Sequence, residues 1–289
     1  MNINLVSVII PLYNRASTIE RAINSVLIQK YIGEIIVVDD GSNDNGPAIV
    51  DSLSKKNNLI KLVMTNSNMG ASHARNIGIK IAKYELIAFL DSDDEWLPNK
   101  IEKQIYLLNS DKNTKLVYTG LITINDKKII KEPGLTFEIP FLTLLHWNYI
   151  GTTSSILCYK DILFDVGLFD ENLQSRNDLD LWLRISLKYK INCIEQPLVN
   201  FYQNNADRIT YNYNKKIQGF LGFINKHYNL LEKYPLSLSK NYLKLAKFYS
   251  DNNEYNNAYK YSRLAIKANI NIKSLKYFSY FSIRRYIYR

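Results

Sequence analysis

Three short apolar segments that end in polar residues constrain the fold of this chain more than any other feature. They read VSVIIPLYN (6–14), EIIVVDDGSNDN (34–45) and LIAFLDSDDEWLP (86–98). Another apolar run lies at 60–64, and helical patterns separate the runs, at 17–30, 46–56 and 70–83. Alternating strand and helix patterns of this kind predict an α/β fold with a mostly parallel sheet that is flanked by helices.

Polar side chains follow three of these runs directly. In open α/β sheets, ligands bind beyond the carboxyl ends of the strands. We therefore expect one site to contain Tyr13, Asn14, Asp39, Asp40, Asp91 and Asp93. Carboxylates crowded at a strand end repel one another, and a divalent cation that bridges them to a diphosphate would relieve the repulsion. Oxygen ligands favour Mg²⁺ or Mn²⁺; an acidic turn that only caps a helix is the alternative.

The segment NMGASHARNIG (68–78) follows the run at 60–64 and opens a helix. Its small residues would let the backbone amides around Asn68 and Gly70 approach a ligand. Arg75 lies one to two turns into the helix, in a position to face phosphate groups. Close packing of this helix on the sheet explains the same small residues without a ligand.

The basic charge of the chain is concentrated near one end. Residues 240–289 contain 11 Lys or Arg and two acidic residues, which gives a net charge of +9. The other 239 residues have a net charge of +1. This asymmetry predicts that the basic segment contacts an anionic surface. The chain has no apolar run near 18 residues and no leader-like start, so we expect a cytoplasmic protein, with peripheral attachment to the inner face of the cell membrane as an option.

The chain is expected to form a catalytic domain over 1–211 and a basic helical extension over 212–289. In the later part of the catalytic domain, the patterns predict a helix over 141–150, a strand over 151–159 and a helix over 177–190. Within the extension, a tetratricopeptide-like spacing at Tyr242, Leu245, Ala246, Tyr249 and Ala258 predicts one helical hairpin. The last stretch, 274–289, mixes aromatic residues with arginines. It fits an interfacial helix on an anionic bilayer, and a structural cap with a solvated basic face fits equally.

In combination, these motifs resemble the family 2 inverting glycosyltransferases of bacterial surface-glycan type, which have the GT-A fold. The resemblance covers about 5–205 and rests on VSVIIPLYN, VVDDGS, NMGASHARNIG, FLDSDDEW and GLFDENLQSRNDLDLWLRI. It implies a nucleotide-binding half over 1–98 and an acceptor-binding half over 99–211. It also implies an enzyme that uses a UDP-sugar together with Mn²⁺ or Mg²⁺.

The resemblance implies a role for each matching residue. Pro11, Tyr13 and Asp40, with Asp39 beside it, would hold the uracil and ribose, and Asp40 would accept the ring N–H. Arg75 would contact the nucleotide or donor sugar, with Asp91 close to the ribose or donor sugar. Asp93 would bind the metal directly.

The segment NDLDLWLR (177–184) is expected to supply the catalytic base. Asp178 occupies the family's base position, and Asp180 is the second choice. Two carboxylates at a helix start point in different directions, so one can serve chemistry while the other caps the helix. Two departures from the family pattern stand here: Asn177 replaces a Glu, and the sequence Tyr-Gln-Asn-Asn (202–205) replaces Tyr-Arg-x-His.

The leading hypothesis is transfer of a single sugar from a UDP-sugar to a hydroxyl of a lipid-linked or surface polysaccharide precursor, such as one for lipopolysaccharide or capsule. Three other functions compete with this hypothesis. A nucleotidyltransferase would need a glycine-rich loop after the first strand, where this chain has Pro11-Leu12-Tyr13-Asn14. A nucleic-acid-binding module would rest on the basic tail alone, and we expect no nucleic acid partner. A catalytically degenerate sugar-nucleotide-binding protein would keep the donor site without turnover.

Overall fold

The chain divides into two compact units. The structure, a computed structural model, describes residues 5–125, 128–135, 141–203 and 213–287. The first unit comprises Met1–Pro140, Tyr149–Glu171 and Leu181–Asn205, and the second comprises Phe141–Asn148, Asn172–Asp180 and Ala206–Arg289. The second unit therefore combines the C-terminal helices with two segments from the middle of the chain.

In the described part of the first unit, a nine-stranded sheet forms the centre. Its strands are β1 (Val6–Leu12), β2 (Ile32–Asp39), β3 (Ile60–Met64), β4 (Leu86–Phe89), β5 (Glu95–Trp96), β6 (Thr114–Asn125), β7 (Lys128–Glu132), β8 (Leu157–Tyr159) and β9 (Lys190–Tyr202). They lie in the order β3-β2-β1-β4-β8-β6-β9-β5, and β7 pairs with β6. The first four strands are parallel, while β8 runs antiparallel between β4 and β6. The predicted α/β class is confirmed.

Helices alternate with the first strands as the sequence predicts. The helices are α1 (Ile19–Leu27), α2 (Gly46–Lys56), α3 (Ala71–Ile81), α4 (Lys100–Ser110), α5 (Phe141–Leu144), α6 (Lys160–Asp165), α7 (Asn177–Ser186), α8 (Tyr213–Lys226), α9 (Tyr228–Leu231), α10 (Pro235–Asp251), α11 (Tyr255–Ala268) and α12 (Ile272–Ile287). Close packing of α3 on β1 depends on Gly78, because a Cβ there would lie 2.5 Å from a methyl carbon of Ile9. One role of the small residues in this helix is therefore packing.

Three segments form shorter elements than their sequence patterns predict. The strand expected over 151–159 is a 3₁₀ turn (Thr153–Ser155) followed by the three residues of β8, because the Thr152 hydroxyl accepts the Ser154 amide and holds a local turn. The helix expected over 141–150 is limited to α5. Helix α7 ends at Ser186, four residues before the predicted end, since β9 begins at Lys190.

The second unit is helical, with α10 and α11 packed as a hairpin. Tyr249 and Tyr261 stack across this pair, with ring centroids 5.4 Å apart. The small residues of the tetratricopeptide pattern, Ala246 and Ala258, are fully buried. Within the described part of the chain, no helix is both long enough and apolar enough to cross a bilayer.

Candidate active site

Several of the predicted site residues lie at the ends of adjacent strands. Leu12 at the end of β1 pairs with Asp39 at the end of β2, and the Asp40 amide donates to the Leu12 carbonyl at 2.8 Å. On the other side of β1, the Leu90 amide donates to the Ile9 carbonyl at 3.0 Å. The parallel register therefore places Tyr13, Asp39 and Asp91 at one edge of the sheet. Pro11 is buried within β1, whereas Tyr13 is 41% exposed just beyond it.

Asp39 and Asp40 are both buried but differ in how they are bonded. The Asp40 carboxylate accepts the Met69 amide at 3.0 Å and the Gly70 amide at 2.6 Å. Asp39 Oδ2 accepts the Ser42 amide at 3.2 Å, whereas its buried Oδ1 has no hydrogen-bond partner among the described residues. Asp40 therefore organises the loop before α3, and Asp39 retains an acceptor.

The loops after β1, β2 and β3 are held against one another. Asn14, with a φ of 51°, accepts the Asn43 amide at 2.8 Å and donates its own amide to the Ser42 hydroxyl at 3.0 Å. Gly41 has a φ of 76°, and a Cβ there would lie 3.1 Å from the amide nitrogen of Asn68. Asn68 itself is exposed. These contacts fix the backbone around the predicted nucleotide residues.

Arg75, which the sequence places near the donor, forms an ion pair with Asp91. Arg75 Nη2 lies 2.6 Å from Asp91 Oδ1, and the guanidinium carbon lies 5.4 Å from the centre of the Phe169 ring. Arg75 Nε is buried and has no partner among the described residues. Asp91 also accepts the Thr153 hydroxyl at 3.0 Å. The arginine therefore neutralises this carboxylate and retains a donor.

The two remaining acids of the Asp-Ser-Asp-Asp stretch have different environments. Asp94 is fully buried and accepts the Ser154 hydroxyl at 2.7 Å and the Tyr202 amide at 3.3 Å, which marks it as structural. Asp93 is 3.6 Å from Arg15 Nε, and its side chain is 10% exposed. The separation from Arg15 is longer than a hydrogen bond. Asp93 Oδ2 and Arg15 Nε therefore form an ion pair without a direct hydrogen bond between these two atoms.

The two acids of α7 lie in the second unit and are bonded in contrasting ways. Asp180 is fully buried, with Lys226 Nζ at 2.9 Å and His227 Nε2 at 2.7 Å. Asp178 is half-buried and accepts the Asn148 side-chain amide at 2.8 Å. Its other carboxylate oxygen accepts the Leu179 amide at 2.7 Å. The ion pair with Lys226 and the contact with His227 favour a structural role for Asp180. The Asn148 and Leu179 groups that donate to Asp178 are neutral.

Comparison with known proteins decides the family. The model of the family described as Glycosyl transferase family 2 matches residues 7–173, which is more than half of the chain. This chain belongs to glycosyltransferase family 2. The match takes in every predicted donor-site residue from Pro11 to Asp93, and it ends before Asp178.

Bacterial relatives of this family 2 chain are similar to it over most of its length. An uncharacterized glycosyltransferase of Rickettsia typhi is 40% identical over 64% of this chain and 60% of its own length. A Rickettsia conorii relative aligns over 36% of its own length, so the chain spans about a third to three-fifths of these proteins. The Escherichia coli protein WfgD, named UDP-Glc:alpha-D-GlcNAc-diphosphoundecaprenol beta-1,3-glucosyltransferase, is 36% identical over 66% of this chain and 73% of its own.

A solved structure has the same fold at low identity. The crystal structure of S. aureus TarS 1–349 in complex with UDP-GlcNAc superposes with a TM-score of 0.64 at 16% identity, over 88% of this chain and 89% of that one. At this identity the likeness shows the fold alone. The resemblance to the GT-A family 2 enzymes in the sequence is thus confirmed at the level of family and fold.

Three contacts of this family 2 site were not predicted from the sequence. Arg15 beside Asp93 directly follows the Tyr13-Asn14 motif, and that adjacency is a signal that could have identified it. Thr153 beside Asp91 and Asn148 beside Asp178 come from segments with no motif, 62 and 30 residues away from the acids that they contact. Only the folded chain reveals these two.

Proposed function

We propose that this chain is a metal-dependent inverting glycosyltransferase that transfers a single sugar from a UDP-sugar to a hydroxyl of a lipid-linked or surface polysaccharide precursor. The observation that carries the proposal is the set of acids at adjacent strand ends, with Arg75 paired to one of them. The E. coli relative WfgD bears the name of an enzyme with a UDP-sugar donor and a lipid-linked acceptor. That chemistry suits the acids and the arginine described here.

The unpartnered buried atoms support a nucleotide donor. Asp39 Oδ1 lacks a donor and Arg75 Nε lacks an acceptor among the described residues. Buried polar atoms left without partners are costly, and a ligand can supply them. We propose that Asp39 and Asp40, with Pro11 and Tyr13, hold the uracil and ribose. Asn68 and Gly70 would line the donor site.

The residues present fit a divalent cation that takes most of its ligands from the donor. Among the described residues, no group of three or more His, Cys, Asp or Glu side chains is arranged as a metal site. Asp93 offers a carboxylate at a strand end, beside Arg15, with a side chain that is 10% exposed. We propose that Asp93 would bind Mn²⁺ or Mg²⁺, with the donor diphosphate and water completing the coordination. When bound, the ion would stabilise negative charge on the departing diphosphate.

The proton transfer is assigned to Asp178. In the proposed step, Asp178 takes the proton from the acceptor hydroxyl as that oxygen attacks the anomeric carbon of the donor sugar. The bond from this carbon to the diphosphate breaks on the opposite side, which inverts the configuration and releases UDP. Asn148 is a neutral donor that holds Asp178 Oδ2 and so orients the carboxylate for this transfer.

Calorimetric titration of UDP tests the donor site, with and without Mn²⁺. We expect metal-dependent binding by the wild-type chain and its loss in Asp93→Ala. The matched control is Asp51→Ala, because the Asp51 side chain is 53% exposed on α2 and pairs with Lys55 of the same helix. Absence of UDP binding in the wild type under every condition would contradict the proposal.

Helix α12 supports peripheral attachment to an anionic membrane. One face carries four exposed large apolar or aromatic side chains, Ile272, Leu275, Ile283 and Tyr286, of which Ile272 is 87% exposed. Exposed lysines at 273 and 276 flank this face. Arg284 and Arg285, which the sequence suggested as lipid contacts, instead bond to Tyr255 and Asn256 of α11. An apolar stripe with basic flanks is suited to the boundary of an anionic bilayer.

Vesicle sedimentation tests this attachment with the full chain. We expect co-sedimentation with vesicles of phosphatidylcholine and phosphatidylglycerol, weaker binding to pure phosphatidylcholine, and loss of both in the double variant Ile283→Glu, Tyr286→Glu. Tyr106→Glu is the control, because Tyr106 is 79% exposed on α4 in the first unit. Equal sedimentation of the double variant and the control would exclude the stripe as a membrane contact.

A further inference from the structure

A cluster of cations lies on α10 in the second unit, outside the donor site. Lys240 and Lys244 are one helical turn apart, and both contact the segment 141–148. Lys240 Nζ lies 3.1 Å from His146 Nε2, and Lys244 Nζ donates to the His146 carbonyl at 2.7 Å. Arg176 donates to the Asn241 side chain of the same helix at 3.1 Å. Three cationic side chains thus meet along one face of α10.

The charges in this cluster repel one another. Burial and, to a smaller extent, the nearby charges of Arg176, Lys273 and Lys240 together lower the pKa of Lys244 to about 7. Burial likewise lowers the pKa of His146 to about 4, with Lys240 and Lys244 acting in the same direction, so this ring is neutral. A group of neighbouring cations in a half-buried position is stabilised when an anion binds among them.

The cluster is linked to the proposed catalytic base within the same unit. Lys244 Nζ lies 3.8 Å from the centre of the Trp147 ring, and the next residue, Asn148, donates to Asp178 Oδ2 at 2.8 Å. Arg176 is two residues from Asp178, and that carboxylate acts to raise the Arg176 pKa, which burial lowers to about 9. The base, an exposed aromatic ring and the cations are therefore neighbours along 141–148, α7 and α10.

We infer that Arg176, Lys240 and Lys244 form a subsite for the phosphate groups of an anionic acceptor, a sugar diphosphate ester, whose hydroxyl Asp178 deprotonates. The inference rests on the proposed function and names the acceptor's chemical class. In such an acceptor the diphosphate and the attacked hydroxyl belong to the same sugar ring, so a base and a phosphate site must be neighbours. Trp147, half exposed beside Lys244, offers a flat apolar surface for that ring.

Two acceptors that differ only in charge test the subsite. The probes are the octyl diphosphate ester of α-N-acetylglucosamine and the neutral octyl α-glycoside of the same sugar, with UDP-glucose as donor. In Lys240→Met and Lys244→Met, we expect the ratio of kcat/KM for the charged acceptor over the neutral one to fall about tenfold or more. Lys244→Arg should restore the ratio, and Lys247→Met is the control, since Lys247 is exposed on the same helix.

A binding measurement separates failure of the subsite from failure of the proposed function. Inorganic diphosphate is titrated into the wild type and each variant by calorimetry, after thermal unfolding has shown that the variant is folded. We expect binding to weaken in Lys240→Met and Lys244→Met but not in Lys247→Met. Unchanged diphosphate binding together with an unchanged acceptor ratio would overturn the subsite. If the wild type turns over neither acceptor but the two lysine variants still lose diphosphate binding, the subsite stands and the proposed transfer to these acceptors is wrong.

The same titration identifies the source of the phosphate groups. If UDP binding weakened as much as binding of inorganic diphosphate in the lysine variants, the cluster would serve the donor, and the acceptor assignment would be wrong. If UDP binding is unchanged while the acceptor ratio falls, the phosphate groups belong to the acceptor.

Discussion

The two compact units of this protein carry opposite balances of charge. The first unit contains 20 Lys or Arg and 21 Asp or Glu, a net charge of −1, whereas the second contains 17 against 6, a net charge of +11. In the first unit the strand-end acids are matched by Arg75, Arg15 and backbone amides. In the second unit, Lys244 of α10 lies near three other cationic side chains, which lower its pKa: Arg176, Lys240 and Lys273.

The difference in net charge corresponds to two ways of binding an anionic ligand. In the proposed function, the first unit would bind the donor diphosphate through a few directed donors and a bound cation, so the geometry of the site would determine affinity. A unit with surplus positive charge attracts anions through its overall field and through clusters such as the one on α10. We therefore expect substitutions in the first unit to act on the donor, and those around Asp178 and α10 to act on the acceptor.

The largest expected effect is that of Asp178→Asn. Because the amide cannot take the acceptor proton, kcat should fall about 10³-fold while UDP affinity stays unchanged. Steady-state kinetics and calorimetry on the same preparation check both quantities. The control is Asp165→Asn, an exposed acid of the first unit that pairs with Lys188. Full turnover in Asp178→Asn would show that this carboxylate is not the base; no turnover even in the wild type would support a degenerate transferase.

Asp180→Ala should reduce stability rather than chemistry. Its removal leaves Lys226 and His227 without their buried acidic partner, which we expect to cost about 3 kcal/mol in the free energy of unfolding. Urea denaturation measures the change, and Asp165→Ala should alter stability by less than about 1 kcal/mol. If Asp180→Ala were stable but inactive, the roles of Asp178 and Asp180 would have to be exchanged.

A smaller effect is expected for Asp40→Asn in the first unit. The substitution removes one charged acceptor from the Met69 and Gly70 amides, so the free energy of unfolding should fall by about 1–2 kcal/mol and UDP binding should weaken about tenfold. Binding of the diphosphate acceptor should not change, because the donor and acceptor effects belong to different units. Calorimetry with each ligand tests this separation, and equal losses for both ligands would contradict it.

The smallest expected effect is a pH dependence of acceptor binding. Lys244 is charged below its lowered pKa of about 7, so KM for the diphosphate acceptor should rise several-fold between pH 6 and pH 8. Around Lys244, His146 is neutral across this range and Arg176 stays charged. In Lys244→Arg, KM for the diphosphate acceptor should change little with pH. UDP binding by the wild type should not show this pH dependence. A wild-type profile with no rise above pH 7 would contradict a binding role for this amine.

The Lys244 contribution to stability should increase with pH, whereas acceptor binding should weaken with pH. The pKa of Lys244 is lower in the folded chain than its ordinary value of 10.5. Between about pH 7 and 10.5 the unfolded chain therefore binds more protons at this site, so the Lys244 contribution to the free energy of unfolding rises with pH. Urea denaturation of the wild type and Lys244→Met at pH 6 and pH 9 measures this contribution.

Much of the first unit could be predicted from the sequence. The runs that end at Leu12, Asp39 and Phe89 became parallel neighbours, because alternating strand and helix patterns leave few ways to bury each strand. The strand-end acids followed, since parallel strands present their carboxyl ends at one edge. The sequence predicts irregular segments less well. Residues 141–150 and 151–159 form shorter elements than their patterns predict, because local hydroxyl contacts and turns override weak propensity.

The sequence determined the family, the sheet and the position of each strand-end carboxylate, because these depend on local periodicity and on motifs that are continuous in the chain. Only the tertiary structure decided which side chains each carboxylate contacts. Asp178 and Asp180 are nearly indistinguishable in sequence, yet Asp180 meets Lys226 from 46 residues away and Asp178 meets a neutral amide. The charge environment of a side chain depends on partners brought together by packing, and packing over such separations leaves no local pattern to read.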